Sequence, residues 1–69
     1  MMEGIYKKIT LTGTSDKGIE DAVHRSVVEA GHTLRNMRWF EVTDIRGSID
    51  GKRVKEWQVT ANINFDIEK

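Results

Sequence analysis

The stretch from Trp57 to Ile67 alternates without a break between apolar and polar residues. A strict period of two is typical of a β-strand that buries one face and exposes the other. The apolar side consists of Trp57, Val59, Ala61, Ile63, Phe65 and Ile67, and the polar side of Gln58, Thr60, Asn62, Asn64 and Asp66. The chain is therefore expected to form a sheet with one covered face and one polar face.

The first half of the chain predicts a strand followed by a helix. Residues Ile5 to Thr12 also alternate, although Lys7 interrupts their apolar side, and the polar residues after them break the pattern. From about Asp16 to Leu34 the apolar period changes to 3.6, with Ser15 as the predicted N-cap. The helical stripe consists of Ile19, Ala22, Val23, Val27, Ala30 and Leu34. Such a stripe covers one face of a sheet.

A hairpin is predicted after the helix. One strand runs from about Arg38 to Ile49, and the next from about Lys52 to Ile67, joined by Asp50-Gly51. An Asp-Gly pair favours a two-residue turn because such turns require positive φ angles. The order is β-α-β-β, which predicts an α+β fold in which a three-stranded antiparallel sheet wraps around one helix.

The two-residue turn also predicts which side chains face the helix. If Ile49 lies opposite Lys52, the residues facing each other across the hairpin share a face. Phe40 and Val42 then lie against the helix. The face that the helix does not cover receives the following predicted residues: Trp39, Glu41, Thr43, Ile45, Val54 and Gln58.

The same register gives two further expectations. Gln58 lies opposite Thr43, roughly 13 Å along the sheet from the strand partner of Trp39. Arg46 lies on the helix-facing side near the end of the sheet, where its long side chain can reach around an edge.

Composition limits the classes of protein that remain. A length of 69 residues predicts a single domain, residues 1–69, with a small core that benefits from self-association. The chain has no cysteine, and 11 basic residues balance 11 acidic ones, which argues against nucleic-acid binding. No apolar run reaches membrane-spanning length, and the N-terminal residues do not form a signal-peptide pattern. We therefore expect a cytoplasmic protein without nucleic-acid or membrane partners.

No pattern in this sequence indicates a catalytic site or a metal site. His24 and His32 are eight residues apart on the helix and have no carboxylate constellation around them, which indicates surface residues rather than metal ligands. The carboxylates show no paired acid-base arrangement, and no histidine is placed to activate Ser15. We expect neither a catalytic residue nor a metal ligand.

The whole chain resembles the dodecins, a family of small flavin-binding proteins. The resemblance rests on the order and spacing of several segments: Tyr6-Lys7-Lys8-Ile9, Leu11-Thr12-Gly13-Thr14-Ser15, Gly18-Ile19-Glu20-Asp21-Ala22, Thr33-Leu34-Arg35-Asn36, Trp39-Phe40-Glu41-Val42, Arg46-Gly47, Gln58-Val59-Thr60 and Phe65. It implies that β-α-β-β protomers assemble into a hollow dodecamer. It also implies that flavins (FMN, FAD or riboflavin) are stored, buffered or quenched without catalysis.

The resemblance assigns roles to three residues. Trp39 matches a tryptophan that stacks on flavin between protomers, and Gln58 matches a glutamine that hydrogen-bonds the polar edge of the ring. Arg46 matches an arginine near the phosphate-bearing tail. Members often have Gly-Phe-Arg where this chain has Asn64-Phe65-Asp66, and the missing basic residue puts a contact to a phosphate or to coenzyme A in doubt.

The residues alone leave other interpretations open. Trp39 can be an oligomer contact, Gln58 a solvated strand residue and Arg46 a partner in a surface salt bridge. The alternative to flavin binding is a structural self-assembly module whose uncovered sheet face only mediates contacts between copies. An enzyme that uses a bound flavin lacks an acid-base group in this sequence.

Overall fold

The computed structural model describes residues 4–67 and contains four elements. They are β1 (Tyr6–Ser15), α1 (Ile19–Ala30), β2 (Met37–Asp50) and β3 (Arg53–Asp66). The predicted β-α-β-β order and the three-stranded antiparallel sheet are confirmed. Residues 1–3 and 68–69 lie outside the described residues. The expected absence of a signal peptide concerns the first of these segments.

The turn between β1 and α1 is held by Ser15, although not as the predicted helix cap. Gly18 is the N-cap and makes no side-chain cap hydrogen bond. Ser15 ends β1, where its hydroxyl accepts the Lys17 amide hydrogen at 2.9 Å and donates to the Asp21 carboxylate at 2.6 Å. The hydrogen bond from Ser15 lowers the pKa of Asp21 below its ordinary value. Strand and helix are thereby tied together by one buried hydroxyl.

The sheet has the order β1-β3-β2, so the alternating C-terminal strand lies at its centre. Helix α1 packs over β1 and β3 rather than over the whole sheet. The core between helix and sheet contains Ala22, Val23 and Val59, with Ile19 and Val27 packed against them. The predicted apolar faces of the helix and of β3 therefore meet.

The helix is too short to cover the hairpin. Its 12 residues extend about 18 Å, whereas a 14-residue strand extends about 46 Å. As a result, an apolar strip stays exposed on the helix-facing side of the hairpin. It consists of Phe40, Val42, Ile45, Ile49 and Val54. Phe40 and Val42, predicted to lie against the helix, are on the predicted side but remain 49% and 38% exposed.

The register of the hairpin differs from the prediction because the turn and three irregularities shift it. Asp50 pairs with Arg53, so the loop is Gly51-Lys52, and Gly51 has a φ of 67°. The pairing slips between Met37 and Trp39, between Val42 and Asp44, and between Ser48 and Ile49. Each bulge adds one residue to one strand and thereby moves the residues beyond it to the opposite face.

These shifts correct four predicted positions. Arg46 lies opposite Gln58 on the polar side of the sheet, not on the helix-facing side. Gln58 is therefore not opposite Thr43, which sits at the second bulge and donates to the Thr60 carbonyl oxygen at 3.3 Å. Ile45 pairs with Val59, and Val54 pairs with Ile49, so both lie on the helix-facing side instead of the uncovered face.

Candidate functional site

The sheet face away from the helix is called the open face here. It spans all three strands and is mostly polar. By strand register its residues are Tyr6, Lys8, Thr10, Thr12, Thr14, Trp39, Glu41, Asp44, Arg46, Ser48, Glu56, Gln58, Thr60, Asn62, Asn64 and Asp66. Two hydrogen bonds join its centre across the strands, from Thr10 to Asn62 at 2.7 Å and between Thr12 and Thr60 at 2.9 Å.

Trp39 lies on the open face, as the sequence predicts. It pairs with Asn64 in the ladder and is 37% exposed. The Tyr6 ring meets the indole at a centroid distance of 4.9 Å and an interplanar angle of 64°. In such an edge-to-face pair, Tyr6 covers at most one face of the indole. At least one broad aromatic surface therefore remains uncovered by its partner.

An ion pair lies beside this aromatic pair. The Lys8 ammonium donates to the Glu41 carboxylate at 3.0 Å, and both side chains are about half exposed. The hydrogen bond and the charge of Lys8 lower the pKa of Glu41, and the amides of Asn64 and Asn62 lower it further. Glu41 is therefore ionised at neutral pH and pairs with Lys8 at this end of the face.

Asn64 lies between the two outer strands at the same end. Its ladder partners are Lys8 on β1 and Trp39 on β2. The residue is only 5% exposed, and its Nδ2 atom has no hydrogen-bond partner among the described residues. The amide lies close enough to Glu41 to lower its pKa, but no contact of Nδ2 in residues 4–67 meets both the distance and the angle of a hydrogen bond. A buried donor without a partner is unusual in a folded protein.

Arg46 and Gln58 meet at the other end of the open face. An Arg46 guanidinium nitrogen donates to the Gln58 side-chain oxygen at 3.4 Å, and Gln58 Nε2 donates to Glu56 at 3.4 Å. Both distances are at the long limit of a hydrogen bond, so the amide is oriented but not tightly held. Within residues 4–67, Arg46 forms no salt bridge with a carboxylate.

The three predicted site residues therefore fall into two groups. Arg46 and Gln58 are together, whereas Trp39 pairs with Asn64, six residues along β3 from Gln58. Six residues of strand correspond to about 20 Å, which exceeds the predicted separation. One chain does not bring Trp39 and Gln58 around the same small molecule.

The structure adds two residues that the sequence analysis did not select as site residues. Tyr6 contacts Trp39 across the central strand, and Asn64 lies directly beside Trp39. The alternation of β1 already places Tyr6 on the polar side. Its proximity to Trp39 depends on β3 lying between β1 and β2, and the sequence alone gives no such order.

Asp66 occupies the position where, by the resemblance, dodecins often have a basic residue. It lies 3.8 Å from the Arg38 guanidinium, with 18% of its side chain exposed. In residues 4–67 no group of three or more metal-ligating side chains is assembled. No helix in this range has the length and apolarity needed to cross a membrane.

Fold and site define a small α+β protein that presents an aromatic ring on an otherwise polar, uncovered sheet face. Residues 5–68 match the Dodecin family model. The dodecin of Thermus thermophilus is 44% identical over 68 residues, covering 99% of both chains.

Comparison with solved structures also finds dodecins. A crystal structure of a Thermus thermophilus protein matches with a TM-score of 0.90 at 43% identity, covering 97% of this chain and 98% of that one. The dodecin of Streptomyces coelicolor matches with a TM-score of 0.88 at 39% identity, covering 100% and 99%. The chain belongs to the dodecin family, and the resemblance drawn from its sequence is confirmed.

Proposed function

We propose that this protein binds flavin without catalysing a reaction on it, and that it stores, buffers or quenches the cofactor. The observation that carries the proposal is the partly exposed Trp39 indole on the open face, of which the Tyr6 ring covers at most one face. A large, rigid, electron-rich ring is suited to stacking on an electron-poor isoalloxazine. Membership of the dodecin family supports flavin as the ligand.

The site is proposed to form between protomers. Because Trp39 and Gln58 are about 20 Å apart in one chain, a single flavin reaches both only if a second chain supplies one of them. Gln58 offers a donor and an acceptor, which match an imide-like edge. Its two present hydrogen bonds, both at 3.4 Å, are weak enough to be exchanged for a ligand.

Assembly is proposed to use the apolar strip of the hairpin. Five adjacent aliphatic or aromatic side chains remain exposed there, and a patch of this kind on a small protein indicates a contact surface. A hollow homododecamer is the assembly that the family resemblance implies. The proposed location is the cytoplasm, in line with the absence of cysteine.

FMN, FAD and riboflavin remain the candidate ligands, and Arg46 favours one with a phosphate. Its guanidinium lies beside Gln58 and forms no salt bridge with a carboxylate in residues 4–67. Coenzyme A has less support, because the carboxylate of Asp66 stands at the position where a basic residue would assist phosphate binding.

The test is a titration of the purified protein with riboflavin and FMN, followed by quenching of flavin fluorescence. Trp39→Ala should weaken binding by about 5- to 160-fold, since loss of one stacking aromatic costs about 1–3 kcal/mol. Trp39→Phe should have a smaller effect. Trp57→Phe is the matched control because Trp57 pairs with Ser15 and Gly47 on the opposite face, and it should bind like the wild type.

The alternative function, a structural self-assembly module, makes a different prediction. The oligomer would then form, as measured by light scattering, while neither flavin is quenched or retained. Equal flavin affinity in the wild type and in Trp39→Ala would remove the stacking role even if the protein binds flavin.

A further inference from the structure

We infer that Asn64 is a ligand-contacting residue that determines specificity at the Trp39 end of the site. Its Nδ2 group donates a hydrogen bond to a carbonyl oxygen or ring nitrogen of the aromatic ligand that stacks on Trp39. This inference rests on the proposed function, because it names a further contact of the same ligand.

The first reason is that the buried Asn64 amide donor lacks a well-formed hydrogen bond within residues 4–67. Asn64 is 5% exposed, and its Nδ2 atom is buried without a well-formed hydrogen bond in residues 4–67, although the amide lies near the Glu41 carboxylate. Leaving such a donor without a partner opposes folding, and most buried donors in proteins are paired. A ligand with an acceptor atom supplies what the amide lacks.

The second reason is position. Asn64 and Trp39 are direct partners in the β2–β3 ladder, so their Cβ atoms are about 5 Å apart. An aromatic molecule in contact with the indole is therefore within reach of the amide. Flavin rings carry carbonyl oxygens and ring nitrogens at their edge, and these atoms accept hydrogen bonds.

The polar groups next to Asn64 already have hydrogen-bond partners in the protein. Lys8 donates to Glu41 at 3.0 Å, and the Asn62 side-chain oxygen accepts from Thr10 at 2.7 Å. The Lys8 ammonium and the Asn62 side-chain oxygen thus each have a protein partner. In residues 4–67, Asn64 Nδ2 is the buried side-chain donor for which no hydrogen-bond partner is found.

Ligand access requires only side-chain movement. Asn64 lies on the open face, where the helix does not reach, so the atoms above it belong to neighbouring side chains. Lys8 and Glu41 are 56% and 47% exposed and can rotate away from the amide. Main-chain rearrangement of the sheet is not needed.

The experiment compares Asn64→Leu with the wild type in riboflavin titrations and in thermal unfolding without flavin. Leucine has the same number of side-chain heavy atoms as asparagine, branched at the same carbon, but has no donor. We expect riboflavin affinity to fall about three- to tenfold, the range for one neutral hydrogen bond. The ligand-free variant should melt at the same or a higher temperature, because an unpaired buried donor has been removed.

Asn62→Leu is the matched control. Asn62 is the same residue type on the same strand and face, but it has a partner in Thr10. We expect this variant to melt at a lower temperature and to bind riboflavin within about twofold of the wild type. The opposite behaviour of two asparagines separates a ligand contact from a general effect of an apolar residue.

Two results overturn the inference. One is unchanged riboflavin affinity in Asn64→Leu, and the other is a fall in affinity that accompanies an equal loss of thermal stability. If the wild type binds riboflavin and Trp39→Ala does not, unchanged affinity in Asn64→Leu rejects only the role of Asn64. If the wild type binds no flavin, the proposed function fails and the role of Asn64 fails with it.

A second measurement needs no variant. In a crystal structure of the wild-type protein with riboflavin, Nδ2 should lie within about 3.2 Å of a flavin oxygen or nitrogen. A separation greater than about 4 Å from every flavin acceptor rejects the inference.

Discussion

Arg46 and Gln58 are direct partners across the β2–β3 ladder, and the guanidinium donates to the side-chain oxygen of Gln58 at 3.4 Å. The register predicted from the sequence places these two side chains on opposite faces of the sheet. The bulge between Val42 and Asp44 brings them together. A positive charge therefore lies beside an amide that has both a donor and an acceptor, which suits a ligand with a polar ring edge and a phosphate.

Arg46→Ala tests whether this charge binds a phosphate. We expect affinity for FMN to fall about tenfold, because a charge-assisted hydrogen bond is lost, while affinity for riboflavin changes less than about twofold. The measurement is a pair of fluorescence titrations at low and at moderate salt. The FMN preference of the wild type should decrease as salt screens the exposed guanidinium.

Arg25→Ala is the control for that comparison. It also removes one positive charge, but Arg25 lies on α1 near Asp21, away from the open face. Binding of both flavins should be unchanged. A similar loss of FMN affinity in both variants would attribute the effect to net charge rather than to the position of Arg46.

Ile45→Glu tests the role of the apolar strip in assembly. Ile45 is 50% exposed in the isolated chain, beyond the part of the sheet that α1 covers. If a second copy covers it, a glutamate there places an unpaired charge in an apolar contact, and the cost exceeds what a small interface can offset. We expect a lower assembly mass in light scattering.

Val28→Glu is matched to Ile45→Glu in exposure, because Val28 is also 50% exposed, but it stands on α1 outside the strip. It should keep the mass of the wild type. Retention of the full mass by Ile45→Glu would show that the strip is not the contact surface.

The elements and their order could be predicted because they depend on local sequence patterns. The alternation from Trp57 to Ile67 and the helical spacing from Ile19 to Ala30 depend only on which residues are neighbours in sequence. The position of Trp39 on the open face also follows from such alternation near the start of β2. It is unaffected by the register error because the predicted and observed pairings near Trp39 differ by an even number of residues.

The positions of Arg46, Ile45 and Val54 could not be predicted in the same way. A bulge adds one residue without a clear signal in this sequence, and its effect carries to every residue beyond it. The order of the strands in the sheet also depends on contacts between residues far apart in sequence. The alternation within β3 is the same whichever strands lie on either side of it. The Tyr6–Trp39 contact and the partial cover by the helix both depend on that order.

Gly13→Ala tests how closely the helix packs on β1. A Cβ atom at Gly13 would lie 2.5 Å from the Ala22 carbonyl oxygen and would also overlap the Ser26 hydroxyl. The serine can rotate, but the carbonyl belongs to the helix backbone, so α1 must move away from the sheet. We expect the free energy of unfolding to fall by about 1–3 kcal/mol, measured by denaturant unfolding at fixed protomer concentration.

Gly31→Ala is the comparison that isolates this steric effect. Gly31 has φ and ψ angles of −66° and −13°, which alanine adopts, and its nearest new contact is the flexible end of Met37 at 3.2 Å. This variant should be unchanged or stabilised by up to about 1 kcal/mol, because alanine has less freedom in the unfolded chain. Equal stability of both variants would mean that α1 adjusts its distance from β1 without cost, which contradicts the close packing at Gly13.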